Sequence, residues 1–546
     1  MSKRRFILIT ILSLLYSIFC VIGNSFVKSS SLNYIKSNFI TSVLTFIALF
    51  VIFFIILHYI ILFIETKKKK NNKKNSKVIN CRIYKLFDKH TFLFCFVVLI
   101  ICLLPYIIAF YPVILSPDPS FQIKQFFGIP NKYSTYNVLL DPNVIITNHH
   151  PVVHTLLLGS CLKIGNMIGN DNLGLFLYSI IQIAILASVL SYVVKFLKEL
   201  KLNTKFVIGA LLVFALVPAF PIYSMSAVKD VIFGSLIILY IIALYKVSKT
   251  DNLNVKNLIK LIILMILIVL FRNNGIHTLL LSFPFLIFLK KGNHFRKKVL
   301  LVVIIIFGFN YSYNNVILPY FKITPTSVRE MLSIPFQQTA RYVKEHSDEV
   351  TVEEKKAIDK ILTYDTLANR YNPELADPVK NEYNKYATSE DLKEYFKVWF
   401  KQFTKHPGVY IESTLNNTYG YFYPLKTSWY FHSRHDTRIV EDGFKYSYSH
   451  SLKAVRDTLS SFGNVFPYIP LIGLLINIGF NTWILLFMLF YLIYKKKYSA
   501  IIYLLPSLVL LLICFASPAN TYFRYALPFI FALPLNVGLF IKSIRE

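Results

Sequence analysis

Long uncharged apolar runs recur along this chain and alternate with short basic segments. The first three runs cover 6–23, 46–64 and 91–111, and the third contains FLFCFVVLIICLLPYIIAF. Each run is close to or longer than the roughly 18 apolar residues that can cross a bilayer as a helix. The pattern therefore predicts an all-α polytopic membrane protein with about 12 transmembrane helices.

The basic segments predict how these helices are threaded. Lys and Arg in short loops resist translocation, so the loop KKKKNNKKNSK (67–77) is assigned to the cytoplasm. The basic loops 195–205, 246–260 and 290–298 then fall on the same side, as do both termini. We therefore expect a multi-pass protein of a bacterial plasma membrane with both termini cytoplasmic. The predicted spans are 6–23, 46–64, 91–111, 173–195, 206–222, 228–246, 258–272, 276–290, 299–316, 466–494, 498–516 and 523–541.

Four regions follow from this threading. Residues 1–90 hold two transmembrane helices and the basic cytoplasmic loop, and 91–316 form a transmembrane core whose first external loop is 112–172. Residues 317–463 form an extracytoplasmic domain, and 464–546 hold three C-terminal transmembrane helices. The extracytoplasmic domain is predicted to be mostly helical, because TVEE before AIDKIL is a capping-box signature and SEDLKEYFKVWFKQF has apolar residues at helical spacing.

The formal net charge of +31 agrees with this topology. The segment 320–462 carries 20 Lys and Arg against 19 Asp and Glu, whereas the remainder carries 39 against 9. This asymmetry is expected when a neutral segment is exported and basic loops stay inside, so it does not indicate nucleic acid as a partner. The six cysteines form no CxxC pair and lie mostly in apolar runs, which indicates buried thiols and no disulfide framework.

A few charged residues fall at predicted outer ends of spans, where cations are disfavoured. Asp118 follows the third span in SPDPS, and Lys229 and Asp230 lie in AVKDVIFG where a span turns back. Arg272 lies in FRNNG and Arg524 in FRYALP. Because ionisable groups near the apolar zone are costly and tend to have partners or tasks, we expect these residues to share one pocket beyond the outer leaflet.

The first external loop adds the motif NHHPVVH (148–154). His149 and His150 stand at the start of a short apolar segment, 151–168. We expect this segment to pack back at the membrane interface, because crossing there would export the basic loop 195–205.

Each of these residues also has a structural explanation. SPDP is a good turn sequence around Asp118, and Lys229 and Asp230 can pair at a helix start. His154 suits a packed helix, and Tyr and Trp near span ends are common interface anchors. The adjacent His149 and His150 lack the spacing of a metal motif such as HExxH. Convergence on the outer face, rather than any single motif, is what points to a site.

The chemistry that fits such a pocket is glycosyl transfer. Cations at a membrane boundary suit a phosphate headgroup, and they stabilise a leaving phosphate as negative charge develops on it. A carboxylate can act as general base toward an acceptor hydroxyl. No nucleotide-binding glycine motif appears in a suitable context. The expected partners are therefore a polyprenyl-phosphate sugar lipid, a cell-envelope glycan or protein acceptor, and membrane lipids.

SPDPS and NHHPVVH, together with the predicted topology, resemble the integral-membrane GT-C glycosyltransferases. The resemblance implies a catalytic Asp in the first external loop, and in the protein O-mannosyltransferase branch a His-Pro-Pro motif as well. Here Val152 replaces the second proline, and the usual acidic pair is reduced to Asp118 followed by Pro119. NHHPVVHTL, AVKDVIFG, FRNNG, LSIPFQQTARYV, YGYFYP and FRYALP more closely resemble an uncharacterised family of bacterial polytopic membrane proteins.

The resemblance implies roles for individual residues. Asp118 is the candidate base, which His149 and His150 orient unless they contact the donor phosphate. Lys229, Arg272 and Arg524 are the candidate phosphate contacts. Further expected substrate contacts are Gln122 to a sugar hydroxyl, Asp230 as the partner that holds Lys229, and Tyr419, Tyr421 and Tyr423 along an acceptor groove. No cofactor or metal ligand is assigned, and a need for a divalent cation stays open.

Three other functions compete with glycosyl transfer. A transporter or flippase of a lipid-linked envelope precursor would favour charges in mid-span and paired broken helices. A polysaccharide polymerase or ligase would share the external domain and the cations. A non-catalytic envelope scaffold would not require Asp118, Arg272 or Arg524.

Overall fold

The computed structural model describes residues 2–70, 82–131, 146–251, 253–289, 291–427, 430 and 436–546. Cys81, residues 71–77 of the basic loop and part of the first external loop lie outside the described residues. The described part is built of helices joined by turns and a few isolated β-bridges.

Helices before residue 317 alternate long apolar rods with short connecting turns. They are α1 Lys3–Ser29, α2 Asn33–Ser37, α3 Phe39–Lys70, α4 Arg82–Lys89, α5 Thr91–Ala109, α6 Pro117–Phe126, α7 Val152–Met167, α8 Asp171–Glu199, α9 Thr204–Leu216, α10 Ala219–Ser224, α11 Lys229–Ser248, α12 Val255–Phe271, α13 Gly275–Leu280 and α14 Asn293–Ser312. A 3₁₀ turn, Phe283–Phe288, follows α13, and α14 continues through one π turn to Tyr320.

The later helices form residues 317–463, which we call the external segment after its predicted location, and then return to the bundle. In the segment 317–463 they are α15 Ser333–Glu345, α16 Val352–Asp359, α17 Tyr364–Arg370, α18 Asp377–Lys380, α19 Ser389–Lys405 and α20 Pro407–Asn416. α21 Lys453–Val465 stands at the end of this segment, and it is followed by α22 Ile478–Tyr494, α23 Tyr498–Ile501, α24 Leu505–Phe515, α25 Phe523–Phe531 and α26 Leu533–Arg545.

Seven helical segments among the described residues are long and apolar enough to cross a membrane: α1, α3, α5, α8, α11, α14 with its continuation, and α25 with α26. Their length and composition indicate a membrane protein. The other apolar segments predicted as spans form shorter helices, such as α9 with 13 residues and α24 with 11. Pro506 stands at the start of α24, where its missing N–H and fixed φ favour the beginning of a new helix.

One predicted span begins later than expected. The segment 466–494 is helical as α22 only from Ile478 onward, and two 3₁₀ turns precede it. Pro467 and Pro470 remove backbone donors there. Tyr468 and Leu471 in this stretch are largely exposed, so the apolar residues before α22 form an outer surface rather than part of a long rod.

The segment 151–168 forms α7, a helix of 16 residues that packs back against α8 and α6. Gly165 and Gly174 allow the close approach of α7 and α8, because a Cβ on Gly165 would lie 2.7 Å from the backbone of Gly174. The helix is not among the seven candidate spans.

The two ends of the helix bundle differ in composition. At one end, ion pairs join helix ends and basic loops: Lys198 with Asp88, Lys249 with Glu546, and Lys495 and Arg5 with Glu65. Both described chain ends, near Arg5 and Glu546, therefore lie at this basic end. The opposite end carries the start of α6, α11 and α25 and adjoins the external segment.

The external segment has an apolar core of its own. Phe336 of α15, Ile358 of α16 and Tyr395 of α19 are fully buried in it. The capping box predicted at TVEE is present, with Thr351 accepting from the backbone N–H of Glu354 at 3.3 Å. The helix predicted from SEDLKEYFKVWFKQF is α19.

Candidate functional site

Four charged side chains form a network at the end of the bundle that adjoins the external segment. Nη2 of Arg524 donates to Oδ2 of Asp118 at 2.6 Å, and Nε of Arg524 lies 3.2 Å from Oδ2 of Asp230. Oδ1 of Asp230 accepts a short hydrogen bond from Arg272. Arg524 therefore bridges two carboxylates, and Asp230 bridges two guanidinium groups. We call these four residues the charged cluster.

Each member of the charged cluster lies where a helix begins or ends. Asp118 and Asp230 are in the first turns of α6 and α11, and Arg272 is the C-cap of α12. Helix dipoles favour anions at N-termini and cations at C-termini, so all three placements are locally favourable. Arg524 lies in the first turn of α25, where the dipole opposes it. Its two carboxylate partners offset that unfavourable position.

A backbone bridge and a side-chain hydrogen bond hold the loops of Asp118 and Asp230 in place independently of the ion pairs. Ile114, just before Asp118, forms a parallel β-bridge with Ser226, just before Asp230. The buried amide of Gln182 in α8 donates to the carbonyl of Ser226 at 2.7 Å. The loops that carry Asp118 and Asp230 are thus fixed against each other.

Lys229 and His150 border the charged cluster. Nζ of Lys229 lies 3.0 Å from Nδ1 of His150. Because an ammonium group can only donate, Nδ1 accepts this hydrogen bond, and the neutral ring carries its proton on Nε2. His150 is therefore a neutral partner of a lysine at the edge of the network.

His149 faces the external segment. Its Nδ1 lies 3.9 Å from Oε1 of Glu330, which precedes α15. Glu330 also binds Nζ of Lys380 at 2.7 Å and Nε of Arg329 at 3.2 Å. The two neighbouring histidines therefore connect the charged cluster on one side with a second group of charges on the other.

The protonation states of the loop residues follow from these neighbours. Burial opposes ionisation of Asp118, but the guanidinium of Arg524 and then His150 and Lys229 hold the pKa of that carboxyl well below its ordinary value. Burial lowers the pKa of His149 to about 4 and the pKa of His150 well below its ordinary value. At neutral pH, Asp118 is ionised and both imidazoles are neutral.

The charged cluster with Lys229 carries an excess of positive charge. Three cations, Lys229, Arg272 and Arg524, face two carboxylates, Asp118 and Asp230. Asp230 is fully buried, whereas the Asp118 side chain is 25% exposed. An anionic group can therefore approach from the Asp118 side and restore the charge balance. A divalent cation would first have to displace a guanidinium group from either carboxylate.

The structure brings Asp118, His150, Lys229, Arg272 and Arg524 close together, with His149 beside them. The expected pairing inside the group is wrong in one respect, since Asp230 binds Arg272 and Arg524 instead of holding Lys229. Adjacent residues on a helix point in different directions, so Lys229 reaches His150 instead.

Gln122 does not face an open sugar subsite. Its side chain is almost fully buried, its amide nitrogen donates to Thr155 at 2.9 Å, and its oxygen lies 3.0 Å from Nδ1 of His154. Nε2 of His154 lies 2.8 Å from the hydroxyl of Tyr178. With both ends of the amide engaged, Gln122 fixes α6 on α7, and His154 is the packed helix histidine that the sequence allowed.

The three tyrosines of YGYFY do not line an open groove, because all three are buried. Tyr419 donates to Glu374, and Tyr421 donates to the carbonyl of Ala519 at 2.9 Å. The ring of Tyr423 packs directly on Gly23 of α1. Alternating tyrosines on a short 3₁₀ turn dock the external segment on the bundle, and Tyr421 supports the loop that leads to Arg524.

Two groups near the site were not singled out by the sequence. Glu330 and Lys380 lie in the external segment. That segment contains many acidic and basic residues in nearly equal number, so no single charged residue stands out from the sequence. Gln182 gave a clearer signal, since it is a lone amide in the apolar run LYSIIQIAIL, and buried polar groups in such runs usually have a partner.

Fold and site together indicate a helical membrane protein, with seven candidate membrane-crossing segments among the described residues and a buried ion-pair network at one end of its bundle. The chain matches DUF6020, a family of unknown function, over residues 1–546, and it belongs to that family. The resemblance to an uncharacterised polytopic family agrees with this match, whereas the GT-C resemblance has no counterpart in it. No curated protein and no solved structure matches the chain.

Proposed function

We propose that this protein transfers a glycosyl group from a polyprenyl-phosphate sugar to a cell-envelope acceptor at the outer face of a bacterial plasma membrane. The single observation that supports this most is the 2.6 Å contact between the partly exposed Asp118 and Arg524. The contact supports the proposal because a reaction with an acidic leaving group needs a base beside a phosphate ligand.

The proposed donor phosphate binds Arg524 and Lys229. Arg272 is less available, because its carboxylate partner is the fully buried Asp230, whereas Arg524 also reaches the partly exposed Asp118. Arg524 exchanges its contact with Asp118 for the phosphate, which removes the neighbour that holds the pKa of Asp118 down. Donor binding therefore raises the basicity of Asp118 at the moment a base is needed.

In the transfer step, the bond between the sugar C1 and the phosphate oxygen breaks and a bond from the acceptor oxygen to C1 forms. The acceptor hydroxyl loses its proton to the carboxylate of Asp118. The bonding electrons leave with polyprenyl phosphate, whose additional negative charge is stabilised by Arg524 and Lys229. Because such transition states have oxocarbenium character, a weak carboxylate base is sufficient.

The proposed orientation puts the basic end of the bundle in the cytoplasm. Lys198, Lys249 and Lys495 lie at that end with both termini, as the positive-inside rule favours. The charged cluster and the segment 317–463 are then extracytoplasmic. This arrangement brings lipid-linked sugars of the outer leaflet within reach of Asp118.

The test is transfer by the purified full-length protein in lipid nanodiscs. The protein is incubated with a panel of polyprenyl-phosphate sugars and cell-wall glycan acceptors, and release of polyprenyl phosphate is measured. Asp118→Asn keeps the size of the side chain but removes the base, so the rate should fall about 10²–10⁴-fold.

The matched control is Asp171→Asn. Asp171 also lies in the first turn of a helix, where it accepts from the backbone N–H of Lys445 at 2.7 Å, outside the charged cluster. This variant should retain the wild-type rate. An Asp118→Asn protein with full activity would remove Asp118 from the mechanism. Movement of labelled lipid-linked sugar across liposomes without release of polyprenyl phosphate would instead support a flippase.

A further inference from the structure

We propose that the external segment contains a binding site for a zinc-class divalent ion, formed by His346, Glu349 and His406. The site lies outside the charged cluster and does not depend on the proposed glycosyl transfer. Among the described residues, these three offer ligand atoms that all lie within 4.8 Å of one another.

The three side chains come from places where helices end. His346 is the C-cap of α15, and Glu349 lies in the 3₁₀ turn that follows it. His406 is the C-cap of α19 and precedes α20. His346 and His406 therefore lie just outside the regular helices. Their contacts bring two elements that are far apart in sequence to the carboxylate of Glu349.

The distances between ligand atoms match those of a tetrahedral metal site. With bonds of about 2.0–2.1 Å to nitrogen and oxygen, two ligand atoms of a tetrahedral ion lie about 3.3 Å apart. Nδ1 of His346 lies 3.3 Å from Oε1 of Glu349, and Nε2 of His406 lies 2.9 Å from Oε2. The carboxylate of Glu349 therefore lies at a ligand-to-ligand distance from both imidazoles, and a metal ion can take the place of the shared protons once one ring has turned.

The two imidazole rings stack face to face, so a shared ion requires one ring to turn until both ring planes contain the ion. Their centroids are 3.8 Å apart and their planes differ by 14°. The buried ring of Tyr342 packs against both, at 5.5 Å from His346 and 5.7 Å from His406. This packing keeps both rings beside Glu349, and the partial exposure of both side chains leaves room for one ring to turn.

The donor set selects the class of ion. Two imidazole nitrogens and one carboxylate oxygen suit zinc and similar transition metals, whereas magnesium and calcium prefer oxygen ligands alone. All three side chains are partly exposed, so solvent can reach the group and a water molecule can complete four ligands. A bound ion would tie the end of α15 to the junction of α19 and α20.

The neighbouring lysine, Lys405, leaves the carboxylate of Glu349 to the two histidines. Nζ of Lys405 donates to the backbone carbonyl of Glu349 at 3.4 Å and lies 3.6 Å from Glu354. The nearby lysine is thus directed to a different carboxylate. The side chain of Glu349 itself is engaged by the two histidines.

The test is Zn²⁺ binding to tag-free, chelator-treated full-length protein, measured by competition with a fluorescent zinc indicator. We expect one equivalent per chain and no competition from millimolar Mg²⁺. The double variant His346→Gln/His406→Gln should lose at least 100-fold in affinity, and Glu349→Gln should lose about 10-fold. His450→Gln, which removes an exposed histidine elsewhere in the segment 317–463, should bind like the wild type.

Two further measurements keep the result interpretable. Bound Zn²⁺ should raise the thermal unfolding midpoint of the wild type and of His450→Gln but not that of the double variant. Bound Co²⁺ should give the strong visible absorption of a tetrahedral site, which Glu349→Gln should weaken. Equal Zn²⁺ affinity in the wild type and both ligand variants, or no binding by the wild type, would overturn the proposal.

Discussion

The two ends of the helix bundle hold their charges in different ways. At the basic end, the described ion pairs have partly or largely exposed carboxylates, as in Lys291 with the 92% exposed Asp251, and each group joins two or three charged residues. At the other end, Asp118, Arg524, Asp230 and Arg272 form a continuous chain of contacts, and Asp230 at its centre has no exposed surface. The same residue types thus act as topology signals at one end and as a buried network at the other.

The difference indicates that the charged cluster is kept for a task rather than for stability. Moving charges out of water costs more than most ion pairs return, and apolar residues of similar size would often be as stable. Exposed pairs such as that of Lys291 cost little and contribute little. The charged cluster therefore calls for a functional explanation, and the proposed anionic substrate would supply one.

Removing Asp230 should have the largest effect on stability. Asp230→Ala leaves Arg272 and Arg524 without their shared buried partner, so the free energy of unfolding should fall by about 3–5 kcal/mol. The measurement is the thermal unfolding midpoint of the purified protein in detergent. The double variant Asp230→Leu/Arg272→Met should recover a large part of the loss, because it removes the stranded charge. No recovery would mean that packing around α11, and not charge, explains the effect.

Arg524→Lys should have the next largest effect, and on activity rather than on folding. A lysine keeps the charge, but a single ammonium cannot bridge two carboxylates as Nε and Nη2 of Arg524 do. If the proposed transfer is correct, its rate should fall about 10²–10³-fold with little change in the unfolding midpoint. The measurement is polyprenyl phosphate release by Arg524→Lys and by Lys205→Arg, an exchange of cations at the basic end. Equal rates for both variants would contradict the assigned role.

Much of this site was predictable from the sequence, because its residues violate a topological rule. Arg272 and Arg524 stand out as cations at the outer ends of apolar runs, and Asp118 stands out as an acid directly after one. Their mutual proximity follows from threading, since ends of spans on one side meet. Long apolar rods such as α1, α3 and α5 were predictable for the same reason.

Other features of the site depend on the direction in which a side chain points, and the spacing of residues in the sequence does not give that direction. Lys229 and Asp230 are adjacent in sequence, yet one binds His150 and the other Arg272 and Arg524. Tyr419 is buried although its polar, aromatic stretch suggested a binding surface. The burial of a residue depends on which surface its segment meets, and that contact is made by residues far away in sequence.

The buried histidines predict an acid-sensitive fold. Burial lowers the pKa of His154 to about 3, against an ordinary value of about 6.5 in the unfolded chain. The unfolded chain therefore binds the proton more readily, and stability falls as the pH drops from 6.5 toward 3, by up to about 1.4 kcal/mol per pH unit. Between pH 6.5 and 5 this amounts to roughly 2 kcal/mol.

The measurement for this effect is the unfolding midpoint at pH 6.5 and at pH 5. His154→Gln removes the titrating ring, so its midpoint should change less between the two values than that of the wild type. His450→Gln removes an exposed ring and should keep the wild-type difference. The same pH dependence in wild type and His154→Gln would assign the acid sensitivity to other groups.

Asp251→Ala should have the smallest effect of these variants. It tests an exposed ion pair of the basic end, whereas Asp230→Ala tests the buried charged cluster. Asp251 is 92% exposed and its carboxylate lies 2.6 Å from Nζ of Lys291, so water and salt compete with the pair. We expect the free energy of unfolding to change by less than about 1 kcal/mol, and less still in high salt. The measurement is the same unfolding midpoint used for Asp230→Ala. If both alanine variants were equally destabilised, burial would not distinguish the two ends, and the charged cluster would lose its claim to a special role.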